Sequence, residues 1–236
     1  MKDLGPVKYA LGIRIMQNNT GIQLFQDKLI AQLLSEFKIE CPQPPSSPLP
    51  SSWKKFRIEK GIPLSNPPFS YRRVIGLLQY LIQCTQPDLA FSTSFLLKFL
   101  ENPLDIHFNA AMHTLKYLAC TKNFMLNLVS NMLKHEPNKI IGFSYSEWGG
   151  SVEYKSVSGS LIYFHGTLRW RARKQKMVAL SSAEAEYNDM TELVQDLKWC
   201  KQLIYEAMGI NCLEVLYCDN QSTISISPNQ IYHHRA

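Results

Sequence analysis

The chain has 236 residues, 45% of them hydrophobic, which is enough for one large domain or two small ones with packed cores. Its formal net charge of +6 and pI near 8.9 permit binding to nucleic acid, but many proteins without such a partner have similar values. The amino terminus lacks the apolar core of a signal peptide, and no segment approaches the roughly 20 apolar residues of a membrane-spanning helix. We therefore expect an intracellular protein, cytoplasmic or nuclear, that has no membrane partner.

The first forty residues predict two short strands followed by a helix. Residues 9–16 partly alternate in polarity, Asn18–Gly21 is typical of a turn, and Ile22–Phe25 returns as a second strand. The next apolar residues have helical spacing: Leu29, Leu33, Leu34 and Phe37. Cys41–Pro50 contains five prolines in ten residues, which excludes a helix or a central strand and predicts an extended loop.

Three further helices are predicted at residues 70–84, 88–100 and 107–121. The last of them has an apolar stripe formed by Phe108, Ala111, Leu115 and Leu118. We expect His107 and His113 to be structural, because no other histidine or cysteine lies beside them at ligand spacing. The six cysteines form no C-x-x-C pair, which favours free thiols over disulfides or a zinc site.

Residues 139–174 predict three antiparallel strands. The third strand, Leu168–Lys174, alternates Arg169, Arg171 and Arg173 with less polar residues, and Lys174 follows them. These cations favour contact with the phosphates of a nucleic acid. The alternative interpretation is an edge strand that its charges keep soluble.

A long helix is predicted from Ser181, because Ser181 and Glu184 have the spacing of a capping box. Its apolar stripe consists of Met190, Leu193, Leu197, Cys200, Ile204 and Met208. Glu186 lies four residues before Met190 and so begins this stripe with a carboxylate. A buried carboxylate needs a cation, a metal ion or a proton; otherwise Glu186 extends to water at the positive end of the helix dipole.

A second acidic residue follows a short apolar strand. Leu213–Cys218 predicts the strand, and Asp219 comes directly after it, before a segment typical of a helix. Ligands of open α/β sheets bind at the carboxyl ends of strands, which makes Asp219 a candidate ligand. The alternative is that Asp219 or Asn220 only caps the helix.

Together, three segments resemble the ribonuclease H domain of copia-type retrotransposon polyproteins. They are Val178–Tyr187 (Val-Ala-Leu-Ser-Ser-Ala-Glu-Ala-Glu-Tyr), Tyr217–Ser222 (Tyr-Cys-Asp-Asn-Gln-Ser) and Gly142–Gly149 (Gly-Phe-Ser-Tyr-Ser-Glu-Trp-Gly). The resemblance implies an α/β ribonuclease H-like mixed sheet, with three antiparallel strands, a helix and a further strand. It also implies two-metal hydrolysis of RNA in RNA–DNA hybrids, with Mg²⁺ or Mn²⁺ as cofactor and an RNA–DNA hybrid or other nucleic acid as partner. By position, Glu186 and Asp219 are the implied catalytic metal ligands.

The chain departs from the family at the first strand, where the family pattern is roughly Gly-Tyr-Ser-Asp-Ala-Asp-Trp. Tyr145 occupies the position of the first Asp. A phenol with a pKa of about 10 stays protonated near pH 7 and cannot bridge two divalent ions as a carboxylate does. Glu147 is a candidate replacement on the same strand face, but its Cα lies roughly 6.6 Å further along, whereas the two ions of such sites are about 3.5–4 Å apart.

The first half resembles the end of the copia reverse transcriptase palm and the thumb or connection that follows it. The match includes Tyr71–Tyr80 and Gln86–Ala90, although the family usually has Arg at Gln86. The catalytic Asp pair of the palm is absent, so the resemblance excludes polymerase activity. Half of a palm sheet, residues 1–26, is expected to lack its partner strands.

We therefore predict two domains, at residues 1–130 and 139–236, from a Pol polyprotein whose remainder is missing. The family's fourth acidic residue has no counterpart before the chain ends, which predicts a ribonuclease H-like domain truncated at its carboxyl end. The leading hypothesis is a remnant with impaired nuclease activity. The alternatives are an inactive module that binds nucleic acid and a weakly active nuclease that uses Glu147.

Overall fold

The computed structural model describes residues 5–18, 21–40, 43–57, 61–63, 67–128, 138–149 and 154–226. The chain divides into two compact units, residues 1–128 and 129–236. The architecture is α/β, with two sheets and six α-helices in the described ranges. No helix within these ranges is long and apolar enough to cross a membrane.

The first unit contains a small antiparallel sheet. Its strands are β1 (Tyr9–Ala10), β2 (Ile13–Asn18), β3 (Gly21–Phe25) and β4 (Leu126–Asn127), which hydrogen-bond in that order. β4 pairs Leu126 with Leu24 and covers the outer edge of β3. The prediction of half a sheet without partner strands is therefore wrong at this edge, because a segment about a hundred residues later supplies the pairing.

The described residues of this unit also form four α-helices and three short 3-10 helices. The α-helices are α1 (Asp27–Glu36), α2 (Tyr71–Cys84), α3 (Ala90–Leu96) and α4 (Asp105–Cys120). The 3-10 helices span Ser51–Arg57, Pro87–Leu89 and Leu97–Phe99, so the predicted helix at 88–100 is one α-helix between two 3-10 turns. The described part of the proline-rich segment, residues 43–50, is neither helix nor strand, as predicted, and buries Leu49 in the core.

Both histidines of α4 have structural partners. His107 is buried, and its Nδ1 accepts a hydrogen bond from the backbone N–H of Leu104 at 3.1 Å. Its Nε2 lies 3.3 Å from the carbonyl oxygen of Phe56, and its ring stacks on Phe99. The Nε2 of His113 lies 3.1 Å from the carbonyl oxygen of Ser47. These contacts confirm the prediction of structural roles.

The second unit is a mixed sheet with a long helix packed on one face. Its elements are β5 (Lys139–Glu147), β6 (Val157–Phe164), β7 (Gly166–Lys174), α5 (Ser182–Met208), β8 (Leu213–Cys218) and α6 (Gln221–Ile226). The strand order is β7-β6-β5-β8. β5, β6 and β7 are antiparallel neighbours, whereas β8 is parallel to β5. This order agrees with the predicted three strands, helix and further strand.

α5 begins at the predicted cap. The hydroxyl oxygen of Ser181 accepts a hydrogen bond from the N–H of Glu184 at 3.1 Å, and the Glu184 carboxylate accepts one from the N–H of Leu180. The residues of α5 that are buried are Ala185, Glu186, Asp189, Leu193, Leu197, Cys200 and Ile204. The predicted stripe is thus correct at four positions. The first and last positions of the predicted stripe are wrong. Asp189 is buried in place of Met190, which is only partly buried, and Met208 is exposed.

Close packing of α5 on β5 depends on Gly142. A Cβ atom at this position would lie 2.8 Å from Leu197 Cδ1 and 3.1 Å from Leu193 Cδ2. Both contacts are shorter than van der Waals separation, so a larger residue here would force these leucine side chains or the helix to move. The approach brings the first turns of α5 to the carboxyl end of β5.

Candidate functional site

Three potential metal ligands meet where β5 and β8 end and α5 begins. Glu186, Cys218 and Asp219 each offer one ligand atom, and these atoms lie within 4.8 Å of one another. Glu186 comes from the first turns of α5, Cys218 is the last residue of β8, and Asp219 follows it. The structure thus brings together the two acidic residues that the sequence singled out, and it adds a thiol.

Glu186 is almost fully buried, with 4% of its surface exposed. Its Oε1 accepts a hydrogen bond from the backbone N–H of Ser146 at 2.7 Å. Its Oε2 is also buried and has no hydrogen-bond partner among the described residues. Burial raises the pKa of the Glu186 carboxyl, the Ser146 N–H opposes this shift, and the nearby charge of Asp219 adds to it. An unpaired buried carboxylate oxygen is costly, and a cation would remove that cost.

β8 places Cys218 and Asp219 through its parallel register with β5. In this register Ser144 pairs with Cys218, and Phe143 pairs with Tyr217. The rings of Phe143 and Tyr217 stack with their centroids 5.4 Å apart, on the sheet face away from α5. The cap of α6 is Asn220 rather than Asp219, because Asn220 Oδ1 accepts a hydrogen bond from the N–H of Thr223 at 3.0 Å. The Asp219 carboxylate is therefore not used as the helix cap.

Tyr145 stands beside this group on β5. Side chains alternate along a strand, so Tyr145 shares the face of Phe143, opposite α5, and 58% of its surface is exposed. Continuing the register of β5 and β8 by one residue sets Tyr145 next to Asp219. Glu147 ends β5 on the same face as Tyr145 but does not belong to the ligand group around Glu186. Its proposed role as a replacement ligand stays a prediction.

Asp189 is a residue of the site region that the sequence analysis missed. It is completely buried, and its Oδ2 accepts a hydrogen bond from the backbone N–H of Tyr145 at 3.1 Å. Burial raises the pKa of Asp189 to about 7, against the opposing effects of a hydrogen bond from Ser158 and the charge of Arg171. The sequence signal was its position three residues after Glu186, which places both carboxylates on one helical face.

Gln175 holds the backbone around the site and was also missed. Its Nε2 lies 2.8 Å from the carbonyl oxygen of Ala185, 2.9 Å from Ser158 Oγ and 3.2 Å from Ser146 Oγ. One buried amide therefore links β5, β6 and the first turn of α5. These contacts fix the position of Glu186 relative to the strand that supplies its hydrogen bond.

The cations predicted to contact phosphate lie on β7: Arg169, Arg171, Arg173 and Lys174. The three arginines pair with carboxylates of α5. Arg171 Nη2 lies 3.1 Å from Glu192 Oε2 and its Nη1 lies 3.1 Å from Asp196 Oδ2. Arg169 also pairs with Asp196, and Arg173 with Glu192. These ion pairs give the arginines a role in packing α5 on the sheet, and phosphate contact stays a prediction.

Two predictions concern cysteines and the carboxyl terminus. The described cysteines form no disulfide, which confirms the prediction of thiols for Cys84, Cys120, Cys200, Cys212 and Cys218. The expected truncation concerns residues 227–236, which lie outside the described residues.

Comparison with known proteins identifies transposon proteins that align with the whole length of the chain. It is 34% identical over its whole length to the retrovirus-related Pol polyprotein from transposon TNT 1-94 of Nicotiana tabacum, of which it covers 18%. It is 31% identical to the Pol polyprotein from transposon RE1 of Arabidopsis thaliana, of which it covers 16%. It thus spans less than a fifth of the length of these relatives.

A shorter relative has a similar size. Over 84% of its length, the chain is 29% identical to an uncharacterized mitochondrial protein of Arabidopsis thaliana and covers 80% of that protein. No family model matches the chain. No solved structure matches it either.

Proposed function

Because this chain belongs to the family of copia-type retrotransposon Pol polyproteins, we propose that its second unit is a ribonuclease H-like domain acting on RNA–DNA hybrids. The observation that carries this proposal is the meeting of Glu186 and Asp219 at the carboxyl ends of two parallel strands. The strand order β7-β6-β5-β8, with α5 between β7 and β8 in the chain, supports the same fold. The first unit corresponds to the end of a reverse transcriptase palm and its thumb or connection.

The residues present fit a divalent cation. In the part of the chain that the structure describes, Glu186 Oε2 is buried without a hydrogen-bond partner, and Asp219 belongs to the same ligand group as Glu186. These two groups would hold Mg²⁺ or Mn²⁺, which prefer oxygen ligands. When bound, such ions activate a water molecule and stabilise the leaving oxygen during hydrolysis of a phosphodiester.

The chain's own residues orient these ligands. The Ser146 N–H fixes one oxygen of Glu186 and leaves the other directed at the site. The β5–β8 pairing sets the height of Asp219 along the sheet. Gln175 prevents α5 from moving relative to β5. The site is therefore organised before any ion or substrate arrives, which is what electrostatic catalysis requires.

Tyr145 is the reason we propose impaired activity. It lies next to Asp219 in the continued register, and the resemblance to the family puts the first catalytic Asp at this position. A neutral phenol supplies no charge to a second divalent ion. We therefore propose that this domain binds its cation but hydrolyses RNA very slowly or not at all. The alternative is an inactive module that binds nucleic acid. Arg169, Arg171 and Arg173 already form ion pairs with carboxylates of α5, which leaves fewer cations to contact phosphates in such a module.

The test is cleavage of a labelled RNA–DNA hybrid with Mg²⁺ by the natural chain and by Tyr145→Asp. We expect the natural chain to be silent or nearly so and Tyr145→Asp to cleave the RNA strand. Tyr154→Asp is the matched control, because Tyr154 is exposed and lies outside the site. Adding Glu186→Gln to Tyr145→Asp should abolish the restored activity.

Three outcomes would contradict parts of this proposal. Equal cleavage by the natural chain and Tyr145→Asp would overturn the claim of impairment, and loss of that cleavage in Glu147→Gln would assign the third position to Glu147. Cleavage that survives Glu186→Gln would overturn the site assignment. Silence of a Tyr145→Asp protein whose circular dichroism matches that of the natural chain would overturn the nuclease proposal itself.

A further inference from the structure

The candidate site contains a thiol, which the all-oxygen sites preferred by Mg²⁺ do not need. We propose that Glu186, Cys218 and Asp219 form a site for one thiophilic divalent cation, Zn²⁺ in particular, with the Cys218 thiolate as a ligand. This proposal rests on the proposed function, because it assumes that a metal ion binds at Glu186 and Asp219. It adds the class of metal that this chain's own residues select.

Cys218 faces the same side of the sheet as Glu186. It pairs in register with Ser144, and the neighbouring even-numbered residue Gly142 is the one against which α5 packs. Cys218 therefore points towards α5, whereas Tyr217 and Phe143 stack on the opposite face. The half-buried thiol is free of any disulfide. The strand register sets the position of its Cα on this side of the sheet, and rotation about χ1 sets the direction of the sulfur.

The unpartnered oxygen of Glu186 is an independent sign of a missing ligand. Only 4% of the Glu186 surface is exposed, and within the described ranges its Oε2 has no hydrogen-bond partner. The other oxygen is already used by Ser146. An oxygen that is both buried and unpaired is rare in folded proteins unless it binds water or an ion. Because Glu186 belongs to the group that includes Cys218 and Asp219, an ion between the three residues would satisfy this oxygen.

The donor set of two carboxylates and one thiolate favours Zn²⁺ over Mg²⁺. Mg²⁺ requires an octahedral oxygen shell, whereas thiolates select Zn²⁺ and other soft ions. Three protein ligands with an open fourth position is the arrangement of many zinc sites that are not purely structural. Tetrahedral bonds of about 2.0 Å to oxygen and 2.3 Å to sulfur place ligand atoms roughly 3.3–3.5 Å apart. The ligand atoms lie within 4.8 Å of one another, so small side-chain rotations would close the site.

The test is a titration of the full chain with Cd²⁺ and with Zn²⁺ alone, without nucleic acid. Cd²⁺ bound to a thiolate gives an ultraviolet charge-transfer band, and Zn²⁺ should displace it with a stoichiometry of one. Cys218→Ser should abolish the band and weaken Zn²⁺ binding about 100-fold, since loss of outer-shell partners alone costs about 10–100-fold. Cys120→Ser is the matched control, because Cys120 is an exposed thiol of the other unit. Asp219→Asn should keep the band but weaken binding about tenfold.

Competition with Mg²⁺ completes the experiment. A large excess of Mg²⁺ should leave bound Zn²⁺ in place. A band that persists in Cys218→Ser, or displacement of Zn²⁺ by an equal concentration of Mg²⁺, would overturn the proposal. Because the titration contains no nucleic acid, these results are distinct from a failure of the nuclease proposal. If Tyr145→Asp cleaves the hybrid with Mg²⁺ and the natural chain shows no Cys218-dependent band, the ribonuclease H proposal stands and the thiolate site is overturned.

Discussion

The two units bury polar side chains on helices in different ways. In the first unit, α4 buries His107 with a hydrogen bond to one ring nitrogen, a carbonyl oxygen near the other, and an aromatic ring against its face. In the second unit, α5 buries Glu186 and Asp189, and each keeps one carboxylate oxygen that no described residue hydrogen-bonds. The imidazole is accommodated by its surroundings, whereas the two carboxylates are only partly accommodated.

This difference separates a stabilising polar group from one held for another purpose. A buried histidine that remains neutral contributes its hydrogen bonds and its packing, and burial lowers the pKa of His107 so that it stays neutral. Buried carboxylates with unpaired oxygens oppose folding. The chain keeps two of them one turn apart on α5, beside the carboxyl end of β5. Such a cost is typical of binding and catalytic sites.

The largest effect is expected for the buried carboxylates, in the pH dependence of the free energy of unfolding. The pKa of Asp189 is raised by burial from 3.8 to about 7. Between about pH 4 and pH 7 the folded state therefore binds a proton that the unfolded state has lost, so stability falls as pH rises through this range. Asp189→Asn should flatten this fall and raise the free energy of unfolding at pH 8 by up to about 4 kcal/mol, since each pKa unit corresponds to about 1.4 kcal/mol.

This prediction is checked by urea unfolding at a series of pH values. Glu206→Gln is the control, because Glu206 lies on the same helix but is exposed. Below about pH 4 the natural chain and Asp189→Asn should have similar stability. A difference between them that is independent of pH would show that Asp189 acts through its hydrogen bonds and not through its charge.

Substitution of the buried His107 is expected to give the next largest change in stability. His107→Ala removes the acceptor of the Leu104 N–H, the contact with the Phe56 carbonyl and the stacking on Phe99. We expect a loss of about 3 kcal/mol in chemical denaturation, from two polar contacts and a cavity. His113→Ala, which loses a single contact with Ser47, should cost about 1 kcal/mol. Equal losses in the two variants would refute the view that His107 is a stabilising centre of α4.

The close approach of α5 to β5 predicts a smaller loss. Gly142→Ala places a methyl group 2.8 Å from Leu197 and 3.1 Å from Leu193, so these side chains or the helix must shift. Overpacking of this kind should cost about 2 kcal/mol and weaken the Ser146–Glu186 hydrogen bond. Gly159→Ala on β6 is the control, since its Cβ would meet nothing closer than 3.7 Å. Thermal melting of the two variants provides the measurement.

The smallest effect concerns a helix of the first unit. Gly76 lies in α2 with open space where a Cβ would be, so Gly76→Ala should gain about 1 kcal/mol from helix propensity. The same substitution at Gly209 should have the opposite sign, because Gly209 ends α5 with φ of +70°. Calorimetric melting that shows a gain for both variants would contradict this assignment of the α5 end.

Local patterns in the sequence predict the second unit well. The cap at Ser181, the apolar spacing of Leu193, Leu197, Cys200 and Ile204, and the alternation in residues 139–174 are all local signals. Each is strong enough that tertiary contacts do not override it. The same local signals place Glu186 on the buried face of α5 and Asp219 at the end of β8.

Contacts between distant segments could not be predicted in this way. β4 is two residues long and exists only because β3 offers it an edge. Asp189 was assigned no role, because the apolar Met190 beside it fits the helical stripe equally well and a carboxylate is not expected there. Gln175 and the ion pairs of Arg171 depend on which strand faces which helix turn. Periodicity within one segment carries no such information.

The parallel pairing of β5 with β8 also sets the order in which the second unit folds. β5, β6 and β7 join neighbours in the chain through antiparallel contacts, whereas Ser144 meets Cys218 only after β6, β7 and all of α5 have intervened. Pairing across so long a loop is slow compared with forming the three-stranded meander. During synthesis on the ribosome, one edge of β5, which includes Ile140, therefore stays open until β8 emerges. A nascent chain interrupted before Leu213 would present this apolar edge to other chains, and it would aggregate through the same hydrogen bonds that β8 normally occupies.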